Sequence, residues 1–253
     1  MNPLADTNHR ALFSAPIMGT ARLDGWIACL TSPRSDLEAV LPGDLRLAGA
    51  ATVAGCHPVV FICGTLTDTT ILFGGLTIPT GVDYREFAVL IPFVHRSDEP
   101  DAYAFVLQMC SSAPTAVDVG NAYYGFAKRL ASIERWDSMW LVTAPDGTLL
   151  AHALVETSDG PVTTRGSGGA GLDALRSALS LPLLGRKPGG TLVGSRFDWR
   201  LDEASVRRAG GWVSLAAPLV PGWQGLECGD VAGGMFLVRD LGWRLSWPSA
   251  LRH

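Results

Sequence analysis

Only two of the 20 basic residues in this 253-residue chain are lysines, Lys128 and Lys187; all the others are arginine. The distinction is chemical. A guanidinium stays protonated at any working pH and cannot add to a carbonyl, whereas a lysine amine can once it has shed its proton. A solvated lysine titrates near about 10.4, and burial among apolar side chains favours the neutral amine. Lys187 lies in the polar loop 185–190, Gly-Arg-Lys-Pro-Gly-Gly, and reads as solvated. Lys128 lies in Tyr123-Tyr124-Gly125-Phe126-Ala127-Lys128-Arg129-Leu130, among aromatics where a helix gives way to a strand. An amine in such a place adds to ketones and aldehydes to form a Schiff base. The resulting iminium is an electron sink that supports decarboxylation of a β-keto acid, aldol or retro-aldol chemistry, or dehydration. On composition alone, a surface lysine beside an arginine is the other reading.

Other constellations carry less. Gly166-Ser167-Gly168-Gly169-Ala170-Gly171 satisfies G-x-G-x-x-G ahead of a helix, but position 191, where a dinucleotide fold wants an acid, is Thr. It reads as a glycine loop. Cys56, His57 and Cys63 have no fourth ligand at zinc-like spacing, so structural cysteines are expected. There is no G-x-S-x-G elbow, and the five histidines sit in unrelated contexts. Neither a metal nor an organic cofactor is expected.

The elements that must position the lysine are short. Gly 29 and Pro 16 imply many turns. A chain 47% hydrophobic and 17% charged, of mean hydropathy +0.22, can bury a sizeable core and is neither disordered nor coiled coil. Strands are expected over 26–30, 57–64, 84–95, 102–110, 130–136, 139–143 and 149–157, with Asp146-Gly147 turning into the last. Helices are expected over 35–40, capped by Ser35 and ended by Pro42, over 115–124, capped by Thr115, and over 172–181. Residues 47–67 are uncharged for 21 positions, but their glycines and His57-Pro58 argue for a turn and a buried strand, not a membrane span. A net charge of −4 without a basic run excludes nucleic acid as the expected partner. Five scattered cysteines and an N-terminus interrupted by Asp6 and Arg10 point to a reduced, cytoplasmic protein. No composition break divides residues 1–253, so one domain is expected.

The stretch Gly120-Asn121-Ala122-Tyr123-Tyr124-Gly125-Phe126-Ala127-Lys128-Arg129-Leu130 resembles the acetoacetate decarboxylase segment G-R-E-(x)2-G-(F/Y)-P-K-K-L, whose Schiff-base lysine falls on Lys128. Tyr84 to Pro92 is similar to that family's Y-x-E-x(4)-I-P stretch, which puts Glu86 in the acid–base position. Asp36 to Leu45 is similar to its D-x-L-x(3)-(V/L)-P-x-x-L turn. The three matches occur in family order over roughly the first 135 residues. The resemblance implies a mainly β α+β domain with a curved, cone-like sheet, a homo-oligomer, and a lyase acting on a small keto acid or related carbonyl compound. It places Arg129 as a cation beside the amine and Arg22, one position out of register, as the nearest counterpart of a carboxylate-holding arginine. Phe126, Tyr123, Tyr124 and Phe87 are expected as pocket walls. The family's G-R-E is Gly120-Asn121-Ala122 here, its proline is Ala127, its second lysine is Arg129, and a further glutamate expected near 61–64 has no acidic counterpart. An aldolase–dehydratase or cyclase on a larger 2-oxo acid, and a noncatalytic small-molecule binder, are the alternatives.

Overall fold

Runs of β-branched and aromatic residues between glycine and proline turns make strands, and the computed structural model is built mostly of them. It describes residues 15–48, 55–73, 75–97, 99–158, 169–220, 227–228 and 234–251. In chain order the strands are β1 (Ile17–Pro33), β2 (Leu45–Leu47), β3 (Cys56–Phe73), β4 (Leu76–Pro79), β5 (Tyr84–Arg96), β6 (Ala102–Ser111), β7 (Lys128–Leu130), β8 (Ser132–Trp136), β9 (Met139–Thr143) and β10 (Leu149–Thr157). They continue with β11 (Leu183–Arg186), β12 (Leu192–Ser195), β13 (Phe197–Trp199), β14 (Ser205–Leu215), β15 (Glu227–Cys228), β16 (Gly234–Ser246) and β17 (Ser249–Ala250). Three short α-helices accompany them: α1 (Arg34–Val40), α2 (Pro114–Val119) and α3 (Gly169–Leu179). The mainly β α+β class expected from the sequence is the class observed.

All described strands join one mixed sheet. Its long members run antiparallel in the order β16, β1, β3, β5, β6, and β7 adds in parallel to β6. Side chains alternate across a strand, so these strands feed two cores. Trp26, Phe61, Phe87, Val89 and Cys110 pack on one face with residues from β8, β9, β10 and β14. Leu23, Ile62, Ala88, Leu90 and Met109 pack on the other, beneath Leu172 and Leu175 of α3. Burial on both faces explains why 84–95 reads as a continuous apolar run.

Several boundaries differ from expectation, each for a local reason. The strand expected at 26–30 begins at Ile17, because Arg22 and Asp24 face outward while Ala21 and Leu23 face in, a half-buried pattern that continues the ladder. The strand expected at 57–64 likewise runs on through threonines to Phe73. The run 130–136 divides into β7 and β8. Ser35 lies inside α1, whose N-cap is Pro33; no side chain caps it, and Arg34 instead ties the turn to Glu38 at 2.7 Å and to the Leu47 and Ala48 carbonyls. Thr115 does not cap α2, which starts with Pro114 at its first turn. Of the glycine motif, 166–168 lie outside the described residues and 169–171 open α3, which ends two residues short of the expected 181. No helix among the described residues is long and apolar enough to cross a membrane.

Candidate functional site

Strand pairing sets the distance between the two groups the sequence singles out. Glu86 on β5 pairs with Ser111 of β6, and Lys128 on β7 pairs with Met109, two residues back on the same strand. A two-residue offset keeps both side chains on one face of the sheet. They are separated by two strand spacings, about 10 Å, which the lysine's four-carbon stem can bridge. The Lys128 Nζ donates to Glu86 Oε2 at 2.6 Å, the length of a strong charge-assisted hydrogen bond. Both side chains are nearly enclosed, 8% and 14% exposed.

The lysine is held from behind. After α2 the chain widens into a π turn, Gly120–Tyr124, a distortion found often at functional sites. Asn121 in that turn brackets the Lys128 main chain: its Oδ1 accepts from the Lys128 N–H at 2.6 Å and its Nδ2 donates to the Lys128 carbonyl at 2.9 Å. Gly120 lies against the lysine stem, and a β-carbon there would come within 2.6 Å of Cδ and 2.8 Å of Cε. Gly125 ends the turn in the left-handed region, φ 64°. Ala127, just before the lysine, is also left-handed at φ 48°, and the buried Gln108 side-chain amide donates to its carbonyl. These roles for Gly120, Asn121 and Gln108 are not visible in residue type alone; the one sequence signal was the pair of glycines bounding 120–125.

The pair opens into a cavity of about 450 Å³ between β1, β3, β5, α2 and β16. Its walls include Met18, Ile71, Ile78, Val82, Tyr84, Met109, Val119, Tyr124, Phe126 and Trp243, with Thr69, Thr70, Thr80 and Thr115 as polar groups. Burial, reinforced by the Glu86 carboxylate, pushes the Tyr84 phenol well above its usual range, so it stays protonated. Tyr124 stacks on Phe126 at 5.0 Å between ring centres and donates to the Ser246 carbonyl at 3.0 Å.

The remaining expected residues separate. Phe126 lines the cavity as expected. Tyr123 is half-exposed and points away, Tyr124 taking the wall position, because the wider π turn shifts the phase at its end. Phe87, one residue from Glu86, faces the opposite core beside Trp26 and Phe61, as strand alternation requires. Arg129 faces away from the lysine for the same reason; it pairs across to Cys110 and donates to the Pro218 carbonyl at 2.8 Å. Arg22 is half-exposed outside the cavity, 3.4 Å from both Asp68 and Asp240. Neither arginine is part of this cavity's wall.

The sequence's other candidates behave as structure. Among the described residues no cluster of three His, Cys, Asp or Glu could hold a metal ion. Buried His57 donates from Nε2 to the Pro92 carbonyl at 2.7 Å, and burial holds its pKa below the ordinary range. Burial also pushes the Cys29 and Cys110 thiols up to about 12. A second cavity, about 590 Å³, is lined by Asp24, Arg85, Arg135, Arg239 and Asp240. Its cations are all guanidiniums, which cannot act as nucleophiles.

No protein-family model and no curated protein matches the chain. Solved structures do. An acetoacetate decarboxylase-like enzyme from Sphingomonas wittichii RW1 is 18% identical with TM-score 0.63, over 95% of each chain. Acetoacetate decarboxylase from Legionella pneumophila is 12% identical with TM-score 0.59, over 94% of this chain and 89% of that one. The enduracididine biosynthesis enzyme MppR, complexed with the condensation product of pyruvate and imidazole 4-carboxaldehyde, is 14% identical with TM-score 0.59, over 99% of this chain and 95% of that one. At such identities the likeness is one of architecture, carried over nearly the whole chain length: this chain has the fold seen in acetoacetate decarboxylase.

Proposed function

We propose that the protein is an enzyme that binds a carbonyl compound as a Schiff base on Lys128, with Glu86 moving the protons. The observation that carries this reading is the 2.6 Å contact between the two groups at the floor of a largely apolar cavity. Glu86 takes a proton from the ammonium, which frees the lone pair for attack on the carbonyl carbon. The carbinolamine oxygen leaves as water after accepting a proton from Glu86, and the iminium remains. Bond-breaking or bond-forming at the adjacent carbon then draws electrons into the iminium, and water hydrolyses it to restore the amine.

The captured condensation product in MppR is a property of that protein; it supports aldol-type chemistry here alongside the decarboxylation carried out by the superfamily's namesake. We also propose the homo-oligomer that the resemblance implies, since Leu76, Ile78 and Val82 expose apolar surface at one edge; gel filtration with light scattering tests it. Borohydride reduction in the presence of a panel of ketones, aldehydes and keto acids, followed by peptide mass mapping, tests the central reading. A secondary-amine adduct on Lys128 is the expected result. Tight binding of the panel without adduct or turnover would favour a noncatalytic binder.

A further inference from the structure

We infer that the substrate of this site is an uncharged, largely apolar ketone or aldehyde, not a keto acid. The inference rests on the Schiff-base reading above and deepens it. The first support is charge. Among the described residues that line the cavity there is one cation, Lys128, and one carboxylate, Glu86, already 2.6 Å apart. A substrate carboxylate would enter a site that is electrically balanced, meet Glu86 as a like charge, and find no arginine or histidine among the described wall residues. Burying a carboxylate without a partner is among the costliest things a pocket can do. The arginines near in sequence are engaged elsewhere: Arg129 on the Pro218 carbonyl and Arg22 beside Asp68 and Asp240.

Size and texture agree. At about 30 Å³ per water molecule, a cavity of about 450 Å³ has room for a body much larger than a three- or four-carbon acid. Its walls carry Met18, Ile71, Val119, Phe126 and Trp243, which suit a hydrocarbon or aromatic body. The polar groups on offer are neutral. Thr69, Thr70, Thr80 and Thr115 line the cavity and carry no charge.

An uncharged substrate has no carboxylate to lose, which directs the iminium toward aldol chemistry. In the cleavage direction Glu86 takes the proton of a β-hydroxyl, and the bond between the α- and β-carbons breaks. Its electron pair flows into the iminium to give an enamine while an aldehyde departs. Glu86 then returns the proton to the α-carbon, and water releases the ketone. Atoms balance with water as the only co-reactant.

The test compares two ketones that differ in one end. Heptan-2-one and 6-oxoheptanoate have the same methyl ketone and chain, but the second ends in a carboxylate. Each, with acetoacetate as a third probe, is incubated with the full chain and borohydride, and the Lys128 adduct is quantified by mass spectrometry. Heptan-2-one should trap in preference, by about tenfold or more given the cost of burying an unpaired charge. Equal or greater trapping by either acid overturns the inference while leaving the lysine reading intact. A Lys128 adduct from none of the three defeats both.

Discussion

Gly120 and the side chain of Lys128 are in such close apposition that a single added methyl group cannot fit between them. The built β-carbon would stand 2.6 Å from the lysine Cδ and 2.8 Å from Cε. Gly120 has ordinary right-handed helical backbone, φ −59°, so Gly120→Ala should fold normally. It should push the amine away from Glu86 and lower turnover and trapping by 10- to 100-fold, the cost of about 1 Å of misplacement. Unchanged kinetics with an unchanged melting curve would show that the lysine does not need this seat.

Lys128→Arg keeps the charge and approximate length and removes the nucleophile. Trapping and turnover should vanish while circular dichroism is unaltered. Lys187→Arg, outside the cavity, is the control and should leave both as they were. An active Lys128→Arg protein would defeat the Schiff-base reading.

Glu86→Gln preserves shape but cannot exchange protons. Adduct formation should slow, because Glu86 frees the amine and protonates the carbinolamine, but an adduct should still accumulate on long incubation. Steady-state turnover should fall by roughly 10²- to 10⁴-fold, the range of general acid–base contributions. Unchanged turnover would leave Glu86 as a polar wall residue only.

Asn121→Ala withdraws both hydrogen bonds from the Lys128 main chain. The unfolding free energy should drop by about 1–3 kcal/mol, and the trapping rate should fall with it. Asn121→Asp keeps the acceptor for the Lys128 N–H and should recover part of that rate. A rate insensitive to both changes would leave Asn121 a structural tie only.

Acid should weaken the fold through His57. Burial holds its folded pKa below the unfolded value of about 6.5, so the unfolded chain takes up the proton more readily. The stability contribution is complete above about pH 6.5 and is lost as pH falls below it. Urea midpoints at pH 7.5 and 5.0 should therefore differ more for the wild type than for His57→Gln. Identical differences would remove His57 from the account.

Much of this was legible in the sequence, and what was not has a geometric cause. Lys128 and Glu86 stood out because a lysine is rare here and because their flanking residues follow motifs. The β-rich class followed from runs such as 84–95. The walls were harder. Tyr123, Phe87 and Arg129 each sit one residue from a position that lines the cavity, and in extended or π-turn backbone one residue is the difference between two faces. Asn121 looked like the loss of a charge, yet it is a main-chain clamp. That role depends on the chain doubling back over seven residues, a distance no local pattern reports.

The backbone at Ala127 limits which residues can replace it. With φ at 48°, this position is barred to proline, whose ring fixes φ near about −65°. The acetoacetate decarboxylase segment that residues 120–130 resemble carries proline at the corresponding place. Holding alanine in the left-handed region costs roughly 1–2 kcal/mol, which the Gln108 bond to its carbonyl helps to offset. Proline therefore becomes acceptable at 127 only if the whole turn from Gly120 onward is rebuilt with it. Position 127 can thus be changed to proline only together with the turn that precedes it.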